Sequence, residues 1–289
     1  MASQGSAFCP GHLTAFFQMC PHADPYRAGS RGAGLSLTRG VHTKVRAKDA
    51  SKAQVTVRLN GHEESAETTR GAVSLFLEEP LEVQVDSEVQ LPVGQGFGMS
   101  GAGALSTLLA LNDALGEPRS RDEVIGLAHR AEVEAQTGLG DVYPQALGGL
   151  DIRERPGAPP HGLVHRVPLE ADVVLVVLGE PTYTKAVLDN PMVRKSVNGV
   201  GKRMVERFLP RRDLDSFFRL SWLFARQTLL ATSEIQAAVM LASLHGQASM
   251  VFLGNAVFAI GQTESLREAL GESGDVFVVG VDSRGARVL

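Results

Sequence analysis

Residues 92–103, PVGQGFGMSGAG, place glycine at 94, 96 and 98 and again at 101 and 103, between two stretches of different periodicity. Before them Pro80–Val89 (PLEVQVDSEV) alternates polar and apolar residues, the pattern of a half-buried strand. After them Leu105, Leu108, Leu109 and Leu115 recur at helical spacing from about Ser100, and Gly116 with Pro118 supplies the stop. A loop this rich in glycine lets backbone N–H groups approach a ligand closely. It opens onto a helix N-terminus, where unpaired N–H groups and partial positive charge collect, so it suits an anion such as a phosphate chain. The plainer reading is a turn that only lets strand and helix pack closely.

Two familiar phosphate loops do not fit. A Walker A loop needs GxxxxGK[ST], which neither this segment nor Gly199-Val200-Gly201-Lys202-Arg203 provides. A GxGxxG does occur at Gly96, Gly98 and Gly101, but no strand ending in Asp or Glu follows the helix, as a dinucleotide fold requires.

Charge and composition exclude further classes. Lys plus Arg is 28 against 32 for Asp plus Glu, a net charge of −4, which removes bulk attraction to nucleic acid or anionic lipid. Hydrophobic residues at 44% and charged residues at 21% describe a globular chain. Its longest apolar runs, Val173–Leu178 and Ala248–Leu253, are too short to cross a bilayer. The opening MASQGSAFCPG has neither the basic nor the apolar region of an export signal, so a cytoplasmic location is expected. Cys9 and Cys20 form no CxxC pair; we expect them reduced and give them no chemical role.

A chain of 289 residues is about twice the usual domain size, and two domains are expected. The first third reads as strands, including Gly29–Gly40 (GSRGAGLSLTRG) and Gln54–Leu59. A second helix is expected over Asp122–Ala135, then a tight turn through Gly138, Gly140 and Asp141. Arg155–Gly162 (RPGAPPHG) has linker composition, which sets the boundary near Val167. Beyond it we expect a strand at Asp172–Leu178, three helices of which the third has a Ser233/Gln236 capping box, a hairpin about Gly254-Asn255, a helix at Thr263–Leu270 and a strand at Val276–Val281. That order, β-α-β-β-α-β, is ferredoxin-like.

The glycine segment resembles the P-x3-G-[LF]-G-x-S-x-A phosphate loop of the GHMP small-molecule kinases. Ala7–His12 (AFCPGH) resembles the family's APG[KR] block, and Gly246–Val251 (GQASMV) resembles a degraded form of its C-terminal block. The wording PGHLTAFFQ, GSRGAG, GQGFGMSGAGALS, TGLGDV and LGNAVFAI is similar to the archaeal branch that phosphorylates pantoate. The resemblance implies an α+β, two-domain GHMP kinase fold. Residues 1–167 would form a domain like domain 2 of ribosomal protein S5, carrying the phosphate loop, and 168–289 a ferredoxin-like domain.

It also implies ATP and Mg²⁺ as cofactors and a small-molecule substrate, pantoate, with a homodimer left open. Gly94, Gln95, Gly96, Phe97, Gly98, Met99, Ser100 and Gly101 fall to the triphosphate, and Ser100 with Glu132 to the metal. Helical periodicity alone does not separate Glu132 from Glu134, since both flank the apolar face; the family's spacing favours Glu132. Asp141, seven residues before Gly148, takes the place of the catalytic base; the plain alternative is a turn-forming Asp. His12 stands where the family carries Lys or Arg and is a cation only if something raises its pKa, such as a carboxylate beside it. Met99 replaces a serine and has no hydroxyl to donate. A hydroxy-acid carboxylate calls for an arginine fork: Arg31 first, Arg155 second, with Ser30 adding a hydroxyl. The alternatives are a kinase for mevalonate, homoserine or shikimate, or a sensor of the same fold without turnover. Retention of Ser100, Glu132 and Asp141 argues against the sensor.

Overall fold

The computed structural model describes residues 3–181 and 190–289. β1 (Ser3–Cys20) and β2 (Gly29–Asp49) form a long antiparallel ribbon with register shifts at Pro10/Gly11 and Thr14/Phe16. Such shifts bend a strand and re-aim its side chains. β2 accordingly takes two partners in succession: β6 (Leu150–Arg155) beside Gly32–Leu35 and β5 (Leu81–Val89) beside Val41–Asp49. β3 (Gln54–Leu59) joins β5 in parallel and β4 (His62–Glu63) closes that edge. β7 (Leu163–Val167) pairs with β6, and β12 (Arg287–Val288) returns the end of the chain to β1.

The helix after the glycine segment, α2 (Met99–Ala114), lies on β1 and β2 and is itself covered by α1 (Glu67–Phe76) and α3 (Arg121–Ala135). That explains why α2 is apolar all round and buried along most of its length, the pattern of a helix with no free face. α3 starts on a Ser120/Glu123 capping box, and a short α4 (Val142–Leu147) follows, with Asp141 at its N-cap.

The second sheet runs β11-β8-β10-β9, all antiparallel, the strand order of a ferredoxin-like sheet. β8 (Asp172–Val177) leads through α5 (Pro191–Phe208), α6 (Leu214–Thr228) and α7 (Ser233–Ala242) to β9 (Gly246–Met250). β10 (Ala256–Gly261), α8 (Thr263–Leu270) and β11 (Asp275–Gly280) complete it.

Two local expectations are corrected. The cap of α7 is Thr232, whose Oγ1 accepts from the Ile235 N–H at 3.3 Å; Gln236 turns back to donate to the Ala231 carbonyl instead of boxing Ser233. RPGAPPHG is not a linker but the turn of the β6–β7 hairpin. It is fastened to the 26–27 turn by the Ala158 N–H donating to Tyr26 O at 2.9 Å, with Ala158 fully buried.

The two sheets share one apolar core. Phe16 on β1 meets Phe208 of α5 edge-on at 5.5 Å, and Phe217 of α6 lies 6.0 Å from both Phe208 and Phe258 of β10. α5 buries Val197, Val200, Gly201, Met204, Val205 and Phe208, a single helical stripe. Gly201 is required for close approach: a Cβ there would sit 1.8 Å from the Phe17 carbonyl, whereas one at exposed Gly199 would meet nothing nearer than 4.0 Å. Gly201→Ala should therefore destabilise the protein by about 1–3 kcal/mol through overpacking. Gly199→Ala should stabilise it by roughly 0.5–1 kcal/mol through helix propensity. Urea unfolding of both variants checks the contrast.

Candidate active site

The phosphate-loop segment turns left-handed at each alternate glycine, with φ of +80° at Gly94, +80° at Gly96 and +65° at Gly98. Gly98 is the N-cap of α2 and offers no side chain to cap it, so the first-turn N–H groups are left for a ligand. The residues between the glycines point away. Phe97 and Gln95 are buried, and the Gln95 amide donates to Gly179 O at 2.7 Å and accepts from the Asn255 N–H at 3.2 Å. Only the main chain of Gln95 and Phe97 is therefore free for the nucleotide role expected of them. A cleft of about 230 Å³ opens beside Met99, Ser100 and Gly103, walled by Leu59, Val89 and Val93 and by Thr68, Thr69 and Thr137. Its apolar wall and hydroxyl rim suit a nucleoside next to its phosphates.

The other half of the site is a buried cluster of charge. His12 and Thr14 stand on β1 between its two register shifts. His12 is fully buried, with Nδ1 3.0 Å from Asp141 Oδ1 and Nε2 2.6 Å from Asp151 Oδ1. Arg153 reaches Asp141 Oδ1 with Nη1 at 3.4 Å and Thr14 Oγ1 with Nη2 at 3.1 Å. Asp151 and Arg153 lie on β6, across β2 from His12. They meet it because β2 carries glycine at 32 and 34: a Cβ at residue 34 would be 2.4 Å from His12 Nε2, and one at residue 32 would be 2.9 Å from Arg153 Nη2. Loop and cluster adjoin directly, since the His12 N–H donates to Phe97 O at 2.9 Å and Gln145 Nε2 donates to Gly98 O at 2.9 Å.

Burial opposes a charge on His12, but the charges and hydrogen bonds of Asp151 and Asp141 outweigh it and raise its pKa to about 9. Burial likewise works against ionised Asp141; the His12 hydrogen bond and the charges of His12 and Arg153 still hold it below the ordinary carboxylate value. Oδ1 of Asp141 is occupied by His12, Thr14 and Arg153, while no donor among the described residues reaches Oδ2. The side chain is 23% exposed, which leaves Oδ2 open to a ligand.

Glu132 and Glu134 are separated by their surroundings. Glu134 is exposed and pairs with Arg130 at 2.7 Å, one turn away. Glu132 is 1% exposed, and its Oε2 accepts from the Gly140 N–H at 3.1 Å. Burial and the nearby charge of Asp141 raise its pKa to about 8. A Cβ at Gly101 would lie 2.8 Å from Glu132 Oε1 and 3.1 Å from Gln145 Oε1, the latter buried without a partner among the described residues. A buried carboxylate and an orphaned amide oxygen at the first turn of α2 are the hard oxygen donors Mg²⁺ takes, so these residues fit that ion.

Of the substrate residues expected from the sequence, Ser30 is brought in: it is 4% exposed and its Oγ lies 3.7 Å from where a Gly140 Cβ would be. Arg31 is not. It follows Ser30 on a strand whose side chains alternate in direction, and it is committed to Glu154 O at 2.9 Å and Gln18 Oε1 at 3.3 Å. Arg155 is exposed at the end of β6. The arginine in the cluster is Arg153, which the sequence reading missed along with Asp151, Thr14 and Gln145. The available signal was Gly32 and Gly34, spaced to clear one face of β2. His129 is also buried near Gly140, with Nε2 2.9 Å from Ala28 O and Nδ1 unpaired among the described residues.

A glycine loop seated on a helix N-terminus, with an ionised carboxylate held next to it, suits phosphoryl transfer. The family described as GHMP kinases N terminal domain matches residues 66–149. The pantoate kinase of Thermococcus kodakarensis is 34% identical over 273 residues, 91% of this chain and 89% of its own. That of Methanospirillum hungatei is 31% identical over 288 residues, 98% of this chain and 96% of its own. A solved structure described as a phosphotransferase related to the CoA biosynthesis pathway superposes with a TM-score of 0.89 at 29% identity, covering 99% of this chain and 98% of the other. The chain therefore belongs to the GHMP kinase family, in the branch of the pantoate kinases. Among its described residues no helix is long and apolar enough to cross a membrane.

Because the folded pKa of His12 lies above the unfolded value of about 6.5, its contribution to stability is complete below that value and is lost as pH rises through about 9. The ring should titrate by NMR with a midpoint near 9, and the protein should lose stability between pH 7 and 10 more steeply than a His12→Asn variant. A midpoint near the free-histidine value would contradict the double carboxylate contact.

Proposed function

We propose that the protein transfers the γ-phosphoryl group of ATP to the primary hydroxyl of pantoate, giving 4-phosphopantoate on a route toward coenzyme A. The observation that carries this reading is Asp141: Oδ1 filled by three donors, Oδ2 open, and the carboxylate next to a phosphate loop. The near-full-length match to pantoate kinases supports the choice of acceptor. In this reading residues 1–167 carry loop and base, and 168–289 close the loop from the other side through the Gln95 contacts to Gly179 and Asn255.

Phosphoryl transfer needs positioned reactants and stabilised charge more than a strong base. The main chain of residues 94–101 and the first turn of α2 hold the triphosphate. Ser100 and Glu132 are assigned to Mg²⁺, with Gln145 Oε1 beside them; the ion supplies charge neutralisation on the phosphate oxygens. The acceptor hydroxyl donates to Asp141 Oδ2, which aligns its oxygen with the γ-phosphorus. As the new oxygen–phosphorus bond forms and the bond to the β-phosphate oxygen breaks, the hydroxyl proton passes to Asp141. His12 and Arg153 keep that aspartate ionised until then, so it is a weak base that takes the proton late. Arg153 has further N–H groups and is assigned the substrate carboxylate in place of Arg31 and Arg155, and Ser30 a hydroxyl contact.

Asp141→Asn should lower kcat by roughly 10²–10⁴ and leave nucleotide affinity nearly unchanged; turnover of pantoate with ATP, followed by ADP release, tests both the substrate and the base. Arg153→Ala should raise KM for pantoate about 10–100-fold, the scale of one lost charge-assisted contact. Arg31→Ala should leave it within a few-fold. The reverse order would return the carboxylate to Arg31.

A further inference from the structure

The reading of Asp141 as the base leaves Asp151 without a role, although it is fully buried and makes the shortest contact in the cluster, 2.6 Å to His12 Nε2. We propose that Asp151 is a positioning residue: by holding the Nε2 proton of His12 it leaves the ring a second N–H at Nδ1, which grips one oxygen of Asp141 and turns the other toward the acceptor hydroxyl.

The chemistry follows from proton counting. A neutral imidazole has one N–H and one lone pair. Here each nitrogen faces a carboxylate oxygen, so a neutral ring would set its lone pair against one of them. Only the doubly protonated ring satisfies both. Without Asp151 the single proton of a neutral ring could sit on Nε2, and Asp141 would then face a lone pair and swing free. A lysine at this position would need no such partner, because its ammonium carries its charge alone and rotates to suit. Histidine does need one, and β6 supplies it.

The surroundings leave little else to orient the ring. The groups facing it are Asp141 at the start of α4, Asp151 and Arg153 on β6, and more distantly the Glu132 carboxyl from α3, which ionises only near pH 8. Asp151 Oδ2 has no hydrogen-bond partner among the described residues and lies 3.5 Å from Arg153 Nε, so the same aspartate also steadies the second cation on Asp141. Gly34 removes the Cβ that would separate ring and carboxylate. The arrangement obeys the general rule that an acid–base group is set by a third residue behind it.

The test is Asp151→Asn in the full chain, which preserves shape and removes the charge. Expected are a fall in kcat of roughly tenfold or more, nucleotide KM unchanged, and an alkaline limb of the kcat profile moved down by about 1–3 pH units. Asp141→Asn is assayed alongside. An impaired Asp141→Asn with a native rate and native pH profile for Asp151→Asn overturns the positioning role alone; a fully active Asp141→Asn overturns the reading on which it rests. If Asp151→Asn does not fold, ¹⁵N NMR of His12 in the unaltered protein at pH 8 decides. Two protonated ring nitrogens support the proposal, and one protonated nitrogen refutes it.

Discussion

Taking one ion out of water into a protein costs several kcal/mol even after relaxation. The centre of this molecule buries His12, Asp151 and Arg153 and half-buries Asp141, two charges of each sign. Such a group is tolerable only complete, because removing any member leaves another charged and unpaired. The cluster thus joins pieces of chain that are far apart in sequence. β1 supplies His12 and Thr14, β6 supplies Asp151 and Arg153, and the turn before α4 supplies Asp141. The register shifts of β1 and the paired glycines of β2 are the geometric conditions for their meeting.

How much of this the amino-acid string discloses depends on whether a feature is local. The strand before the glycine segment, the helix after it and the ferredoxin-like order of the second sheet follow from periodicity and turn residues, which act over a few positions. His12 was legible as an anomaly, a weak cation where a strong one is usual, and its need for a carboxylate follows from chemistry. Which carboxylates it finds is long-range: Asp141 is 129 residues away and Asp151 is 139. Glu132 and Glu134 illustrate the same limit, since both sit at the edge of one helical stripe and only Arg130 and the Gly140 turn separate them. Arg31 attracted attention because it stands in GSRGAG, but the informative letters there are the glycines, which mark the face of β2 that other strands cross. RPGAPPHG misled in the opposite way, since proline and glycine serve a tight hairpin as readily as a linker.

The glycine loop itself is not self-sufficient. Its conformation is held by a buried glutamine whose amide is read at both ends by the second sheet, at Gly179 and Asn255. A Cβ at Gly254 would lie 2.2 Å from Gln95 O, so the β9–β10 connection presses directly on the loop. The loop therefore belongs to both sheets, and the shared phenylalanine core that holds them together is part of what shapes it.

Met99 and His12 depart from the family pattern at neighbouring places, and the structure gives each its own surroundings. The Met99 side chain is 6% exposed and folds over Gly11, where a Cβ would be 2.9 Å from its Cε. It thus covers the residue next to His12 with a flexible apolar group, as methionine does in irregular gaps. Gly11 and His12 alternate in direction along β1, so this cover lies on the face turned away from the imidazole. The two departures are thus separate: Met99 fills an apolar gap beside Gly11, and His12 takes its charge from Asp141 and Asp151.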